Sequence, residues 1–212
     1  MATKFYNLII LDRSGSMTTI RQAAVAGVNE TLGTIRKIGK ETESQQLVSL
    51  LAFCGCSKEY IIRDKDIHRV GPLTLADYQP CCSTPLYDAI GAGCTALRKL
   101  VGNDPEARVS VTIITDGYEN SSAEWTQPAV AALIKELKAQ GWLFAFIGAN
   151  IDVKKVSFTL SIDNSISFQA DEEGTQQMFD KECRARSRWA RTAASAPADA
   201  APMNDGYFDD LD

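Results

Sequence analysis

The chain alternates apolar runs with amphipathic stretches, and the two periods place its elements. Phe5–Leu11 (FYNLIIL) is apolar at odd and even positions, which predicts a central strand covered on both faces. Ile20, Ala24, Val28, Leu32, Ile35 and Ile38 recur at helical spacing within 17–39, and Gly39 closes that helix. QQLVSLLAFC (45–54) reads as a second buried strand. SKEYIIRD (57–64) alternates, as a paired edge strand does, and Gly55 allows a tight hairpin between the two. Residues 65–83 look irregular, with a short helical turn at 75–78. TPLYDAIGAGCTALRKL (84–100) is a helix with Pro85 at its first position. ARVSVTIIT (107–115) is a third buried strand, and 124–140 is an amphipathic helix ended by Gly141. WLFAFIGA (142–149) is a strand, and a short helix follows from about Asp152. SISF (165–168) is a last strand, and 171–190 is a closing helix capped by Asp171.

Strands alternating with helices predict an α/β fold: a doubly wound, mainly parallel six-stranded sheet with one antiparallel edge strand and helices on both faces, Rossmann-like in class. The domain is expected over 1–191. Residues 192–212 begin with the low-complexity run TAASAPADAAPMN and read as a flexible acidic tail.

Charge then narrows the partners. The formal net charge of −5 sits entirely in residues 192–212, which hold Asp199, Asp205, Asp209, Asp210 and Asp212 and no Lys or Arg. The body is neutral, which argues against nucleic acid, since phosphate binding needs a basic face. No apolar run approaches a membrane span, and MATKFYNLII has too short an apolar run for a leader, so a cytoplasmic location is expected. The six cysteines, Cys54, Cys56, Cys81, Cys82, Cys94 and Cys183, are expected as free thiols acting as small hydrophobes. Cys54-Gly-Cys56 and Cys81-Cys82 are spaced too tightly for an ordinary zinc ribbon. The tail ends in DGYFDDLD (205–212). It reads as a solvated end or as a recognition motif, with Tyr207, Phe208 and Leu211 as anchors and Asp209 or Asp210 offering a carboxylate to a metal edge, its own or a neighbour's.

The chemistry lies where strands end. Asp12, Ser14 and Ser16 follow the first strand at alternate positions, Thr84 opens a helix, and Asp116 ends the third buried strand. Ligands of an open parallel sheet bind at the carboxyl ends of its strands, where strand order reverses. Hydroxyls and carboxylates are hard oxygen donors suited to Mg²⁺ or Mn²⁺. Each residue also has a plain reading: Ser16 and Thr84 as helix caps, Asp116-Gly117 as a turn.

D-R-S-G-S (12–16), T-P-L-Y-D (84–88) and T-D-G (115–117) together resemble the metal-ion-dependent adhesion site of von Willebrand factor A (VWA) domains, over about residues 4–190. FIGANID (146–152) resembles a run of stand-alone bacterial and phage-like members. The resemblance implies that Ser14, Ser16 and Thr84 touch the metal and that Asp12 and Asp116 hold its waters. It also implies a non-enzymatic, Mg²⁺-dependent module that binds an acidic residue of a protein partner. Arg13 follows Asp12, and no further acid follows Ser16, so no adjacent calcium site is expected. Asp88, Glu119 and Asn120 lie near the expected metal edge, Asp88 as a solvated helix-surface residue.

Two other functions compete. A phosphohydrolase-like enzyme of the aspartyl-nucleophile type would need a second Asp at position 14, which is Ser. No Ser–His–Asp or Cys–His pattern occurs, and Gly91-Ala-Gly93 lies inside a helix rather than after the first strand. A structural scaffold subunit with a degenerate site is the other, against which the intact set of five residues argues.

Overall fold

The computed structural model describes residues 3–197 and 206–209. Strands β1 (Lys4–Asp12), β2 (Gln45–Cys54), β3 (Ser57–Asp66), β4 (Ala107–Thr115), β5 (Leu143–Gly148) and β6 (Asn164–Ser167) form one sheet in the order β3-β2-β1-β4-β5-β6. All pairings are parallel except β2 with β3, the hairpin through Gly55. Helices α1 (Arg21–Glu41), α2 (Leu86–Val101), α3 (Gln127–Ala139), α4 (Val153–Thr159) and α5 (Glu172–Ser195) cover its two faces.

The absence of polar alternation in β1 follows from that double cover. Tyr6, Leu8 and Ile10 pack with Leu86, Ala89 and Ile90 of α2 and Val130 and Ile134 of α3. Ile9 and Leu11 pack on the other face with Val28, Leu32 and Ile35 of α1 and Phe179 of α5. At Gly27 a Cβ would lie 1.9 Å from the Phe179 ring, so a side chain there would push α1 off α5. Among the described residues no helix is long and apolar enough to cross a membrane.

Asn7, the one polar residue of the first apolar run, has a partner that the pattern did not reveal. Arg186 of α5 is fully buried, and its Nη1 donates to Asn7 Oδ1 at 2.8 Å. The same guanidinium donates to Thr112 Oγ1 at 2.8 Å and pairs with Glu182 one helical turn away at 2.7 Å. Burial works against the charge, but attraction from Glu182, its hydrogen bond and the neighbouring Tyr207 and Cys183 together overcome it and keep Arg186 protonated.

The C-terminal end differs from the sequence expectation. α5 runs on to Ser195, past the expected boundary at residue 191. Gly206–Asp209 lie back on the domain, with Tyr207 buried beside Phe5, Leu143, Ala185 and Trp189. Arg188 of α5 donates to the carbonyls of Gly206, Tyr207 and Asp209. Phe5 and Leu143 start their strands, so this segment docks at the amino ends of the sheet, opposite Asp12. Tyr207 and Phe208 therefore do not reach the carboxyl ends of the strands, where the metal edge is expected. Asp199, Asp205, Asp210, Leu211 and Asp212 lie outside the described residues.

Candidate metal centre

β1 lies between β2 and β4, so the chain crosses over in opposite directions on its two sides. A crevice therefore opens at the carboxyl ends of β1 and β4. Asp12 ends β1 there, fully buried, with both carboxylate oxygens held. The Ser14 N–H donates to Oδ1 at 2.7 Å, and Thr115 Oγ1, at the end of β4, donates to Oδ2 at 2.6 Å. The buried Tyr78 hydroxyl donates to the Asp12 carbonyl. Past Asp12 the chain tightens into a 3₁₀ turn, Gly15–Ile20.

Ser14 Oγ lies 3.1 Å from Ser16 Oγ, and Ser16 Oγ donates to Asp116 Oδ1 at 2.5 Å. Ser16 thus spends its hydroxyl across the crevice, 100 residues away in sequence, rather than as a helix cap. Thr84 is fixed by a reciprocal pair: its N–H donates to Asn120 Oδ1 at 2.8 Å, and the Asn120 N–H donates to its carbonyl at 3.1 Å. A Cβ built on Gly117 would stand 3.4 Å from Thr84 Oγ1 and 3.8 Å from Ser16 Oγ, which places both hydroxyls around one point. The fold brings all five residues of the motif to one crevice.

The crevice is short of positive charge. Burial pushes Asp12 up to about 6, against the hydrogen bonds from Thr115 and Ser14, and the nearby Asp116 carboxylate raises it further. Burial likewise raises Asp116. Among the described residues no ion pair reaches either carboxylate. Two buried acids and three hydroxyls, all hard oxygen donors without a cation, fit a small divalent ion.

The supporting loop was only partly foreseen. Asp88 is not a solvated helix residue: it is buried and accepts from the N–H groups of Ala123, Glu124 and Trp125 at 3.0, 2.9 and 2.7 Å. These bonds outweigh burial and hold its carboxyl below the usual range. Glu119 accepts from the Tyr87, Ser121 and Ser122 N–H groups. Together they tie the loop after Asp116 to the start of α2, and so fix Thr84 against Asp116. Thr115 and Tyr78 were missed; the Thr of T-D-G was the available signal for the first.

The cysteines depart from expectation. Cys56 and Cys82 form a disulfide, while Cys54, Cys81, Cys94 and Cys183 are free. The cause is loop apposition: the Gly55 N–H donates to the Ser83 carbonyl at 2.8 Å, and a Cβ on Gly55 would fall 2.1 Å from Ser83 Oγ.

No protein-family model matches the sequence, and no curated protein sequence matches it. Solved structures do. A von Willebrand factor type A protein from Catenulispora acidiphila aligns at a TM-score of 0.58 and 14% identity, over 90% of this chain and 43% of that one. The SpRpn10 VWA domain aligns at 0.58 and 11% identity, over 84% and 94%. The fold is that of a VWA domain. Manganese-loaded TRAP protein of Plasmodium vivax aligns at 0.53 and 16% identity, over 84% of this chain and 71% of that one. The chain spans less than half the length of the first structures it matches, at 46%, 47% and 43%. In this VWA fold the crevice just described stands at the switch point of strand order.

Proposed function

We propose that the chain is a divalent-cation-dependent protein-binding module and not an enzyme. Ser14, Ser16 and Thr84 hold Mg²⁺ or Mn²⁺ through their hydroxyls, and Asp12 and Asp116 hold its waters. The observation that carries this reading is the convergence of three hydroxyls and two cation-free buried carboxylates at the switch point. A bound ion supplies an open coordination position for a carboxylate of a protein partner, because neutral hydroxyls and water leave its charge under-compensated. The oxygens of Asp12 are held by Ser14 and Thr115, so its carboxylate orients the site rather than attacking a substrate. His68 follows Asp66, which pairs with Leu47 near the amino end of β2, so the histidine lies at the other end of the sheet. Tyr118, half-exposed next to Gly117, offers an apolar surface beside the crevice.

The test is capture of partners by the full chain in Mg²⁺, in EDTA, and with Asp12→Ala in Mg²⁺. Binding present only in the first condition supports the proposal. Equal binding in all three overturns it.

A further inference from the structure

Two loops beside the oxygen centre carry four of the six cysteines. Cys54-Gly55-Cys56 turns β2 into β3, and Cys81-Cys82 leads to Thr84. One backbone bond joins these loops directly, and two more tie the Cys81–Cys82 loop to the segment after β1. The Gly55 N–H donates to the Ser83 carbonyl at 2.8 Å, the Cys81 N–H to the Arg13 carbonyl at 2.8 Å, and the Gly15 N–H to the Cys82 carbonyl at 3.0 Å. The sulfurs gather as a result. Cys54 Sγ is 2.9 Å from Cys81 Sγ, and the sulfurs of Cys54, Cys56 and Cys81 all lie within 4.8 Å of one another. Cys82 joins them through its bond to Cys56.

We propose that Cys54, Cys56, Cys81 and Cys82 are a tetrathiolate site for Zn²⁺, open to the ion when the Cys56–Cys82 bond is reduced. Four sulfurs around Zn²⁺ at about 2.3 Å stand roughly 3.8 Å from one another. The Cys54–Cys81 pair needs to part by about 1 Å to meet that spacing. Cys56 and Cys82 have Cα atoms 6.2 Å apart, so once their bond opens, side-chain rotation alone separates the sulfurs. The chain spacing that excluded a zinc ribbon does not exclude this site, because the fold, not a single knuckle, brings together two pairs 26 residues apart.

Arg13 is the second observation. It is 8% exposed, and its Nε is buried with no hydrogen-bond partner, although its Nη atoms reach Ser57 and Glu59. Its Nη2 donates to Ser57 Oγ, which lies 3.8 Å from Cys54 Sγ, so the guanidinium stands beside the cluster. A tetrathiolate zinc centre carries a net charge of about −2, and a buried N–H donor of positive charge is the group that offsets it. Thiolates select the softer ion, whereas hydroxyls and carboxylates select Mg²⁺, so the two sites do not compete.

The chemistry balances with a dithiol reductant. Its two thiols give two electrons and two protons to the Cys56–Cys82 bond, which breaks into two thiols while the reductant leaves as its own disulfide. Binding Zn²⁺ then replaces four S–H bonds by four S–Zn bonds and releases four protons to solvent. The bound ion would tie the β2–β3 turn to the loop that carries Thr84.

The test titrates Co²⁺, as a spectroscopic stand-in for Zn²⁺, into the full chain in excess Mg²⁺, which keeps the oxygen centre filled. A non-chelating phosphine supplies the reduction, and parallel samples remain oxidised. Cys54→Ser and Cys81→Ser each remove one ligand without touching the disulfide, and circular dichroism checks their folding. The expected result is one Co²⁺ per reduced wild-type chain with thiolate charge-transfer and tetrahedral bands. Zn²⁺ should displace it, each variant should bind at least tenfold more weakly, and the oxidised chain should show no bands. Absence of those bands in the reduced wild type, or bands of undiminished affinity in both variants, overturns the proposal. Because Mg²⁺ is saturating throughout, failure here leaves the oxygen centre untouched.

Discussion

Replacing Asp12 by Asn should make the metal-free protein more stable at neutral pH, although it removes a buried charged group with two hydrogen bonds. Asp12 is raised from 3.8 to about 6 by burial, with Asp116 adding to the rise. Above pH 6 the carboxylate is ionised in both folded and unfolded chains, and the folded state carries the full cost of burying it. Below pH 3.8 it is protonated in both, and the cost vanishes. The metal-free wild type should therefore lose about 3 kcal/mol from this group as pH rises from about 4 to about 6. An amide carries no charge, so the variant lacks that loss. It keeps an oxygen for the Ser14 N–H, and Thr115 Oγ1 retains the Gly117 carbonyl at 3.1 Å as acceptor when it meets the new amide N–H. Allowing for that rearrangement, Asp12→Asn should gain about 1–3 kcal/mol over wild type at pH 7.5 in EDTA. Urea unfolding in EDTA at pH 4 and 7.5 measures the difference. In Mg²⁺ at a hundredfold excess over its dissociation constant, wild type alone should gain about 2.7 kcal/mol. A variant less stable than wild type in EDTA at pH 7.5, or one with the same pH slope, would refute the reasoning.

Other outcomes follow from the same contacts. Glu182→Ala should destabilise the chain by about 3–5 kcal/mol, because it leaves the Arg186 guanidinium buried and unpaired; a loss under about 1 kcal/mol in urea unfolding would contradict this. Tyr207→Ala should cost about 2–4 kcal/mol through the cavity beside Phe5 and Trp189 yet leave divalent-ion affinity unchanged, as calorimetry would show, since the segment docks at the opposite end of the sheet. Gly55→Ala should displace Ser83 and with it Thr84, lowering Mg²⁺ affinity more than tenfold while the thermal midpoint falls by only a few degrees. Unchanged affinity there would mean that Thr84 is positioned independently of the β2–β3 turn.

Much of this architecture could be read from the chain, and the gaps have physical causes. The bounds of β2 and β4 were legible because each is an apolar run between polar residues and buried on both faces. The helix expected over 124–140 spans Gln127–Ala139, because the N–H groups of Ala123, Glu124 and Trp125 bond to Asp88 instead of to a helix. The helix expected from Thr84 starts at Leu86, because Thr84 is bonded to Asn120. α5 outran its expected end because the alanines of TAAS continue a helix readily and Pro197 is the first residue that cannot. The oxygen residues of the crevice stand out because strand ends and residue types place them. Thr115 closes β4 beside Asp12 and T-D-G signalled it, but Asp88, Tyr78 and the Cys56–Cys82 bond depend on loops meeting in space, which no local pattern encodes.

The central claim is that Asp116, Ser16 and Thr84 converge to hold one divalent ion. Titration of Mn²⁺ into wild type and Asp116→Ala, followed by the electron paramagnetic resonance of the free ion, tests it most directly, with circular dichroism confirming that both chains are folded. One ion per wild-type chain, with at least tenfold weaker binding in Asp116→Ala, is the expected result. Equal affinity in the two chains, or no binding to wild type, would contradict the account.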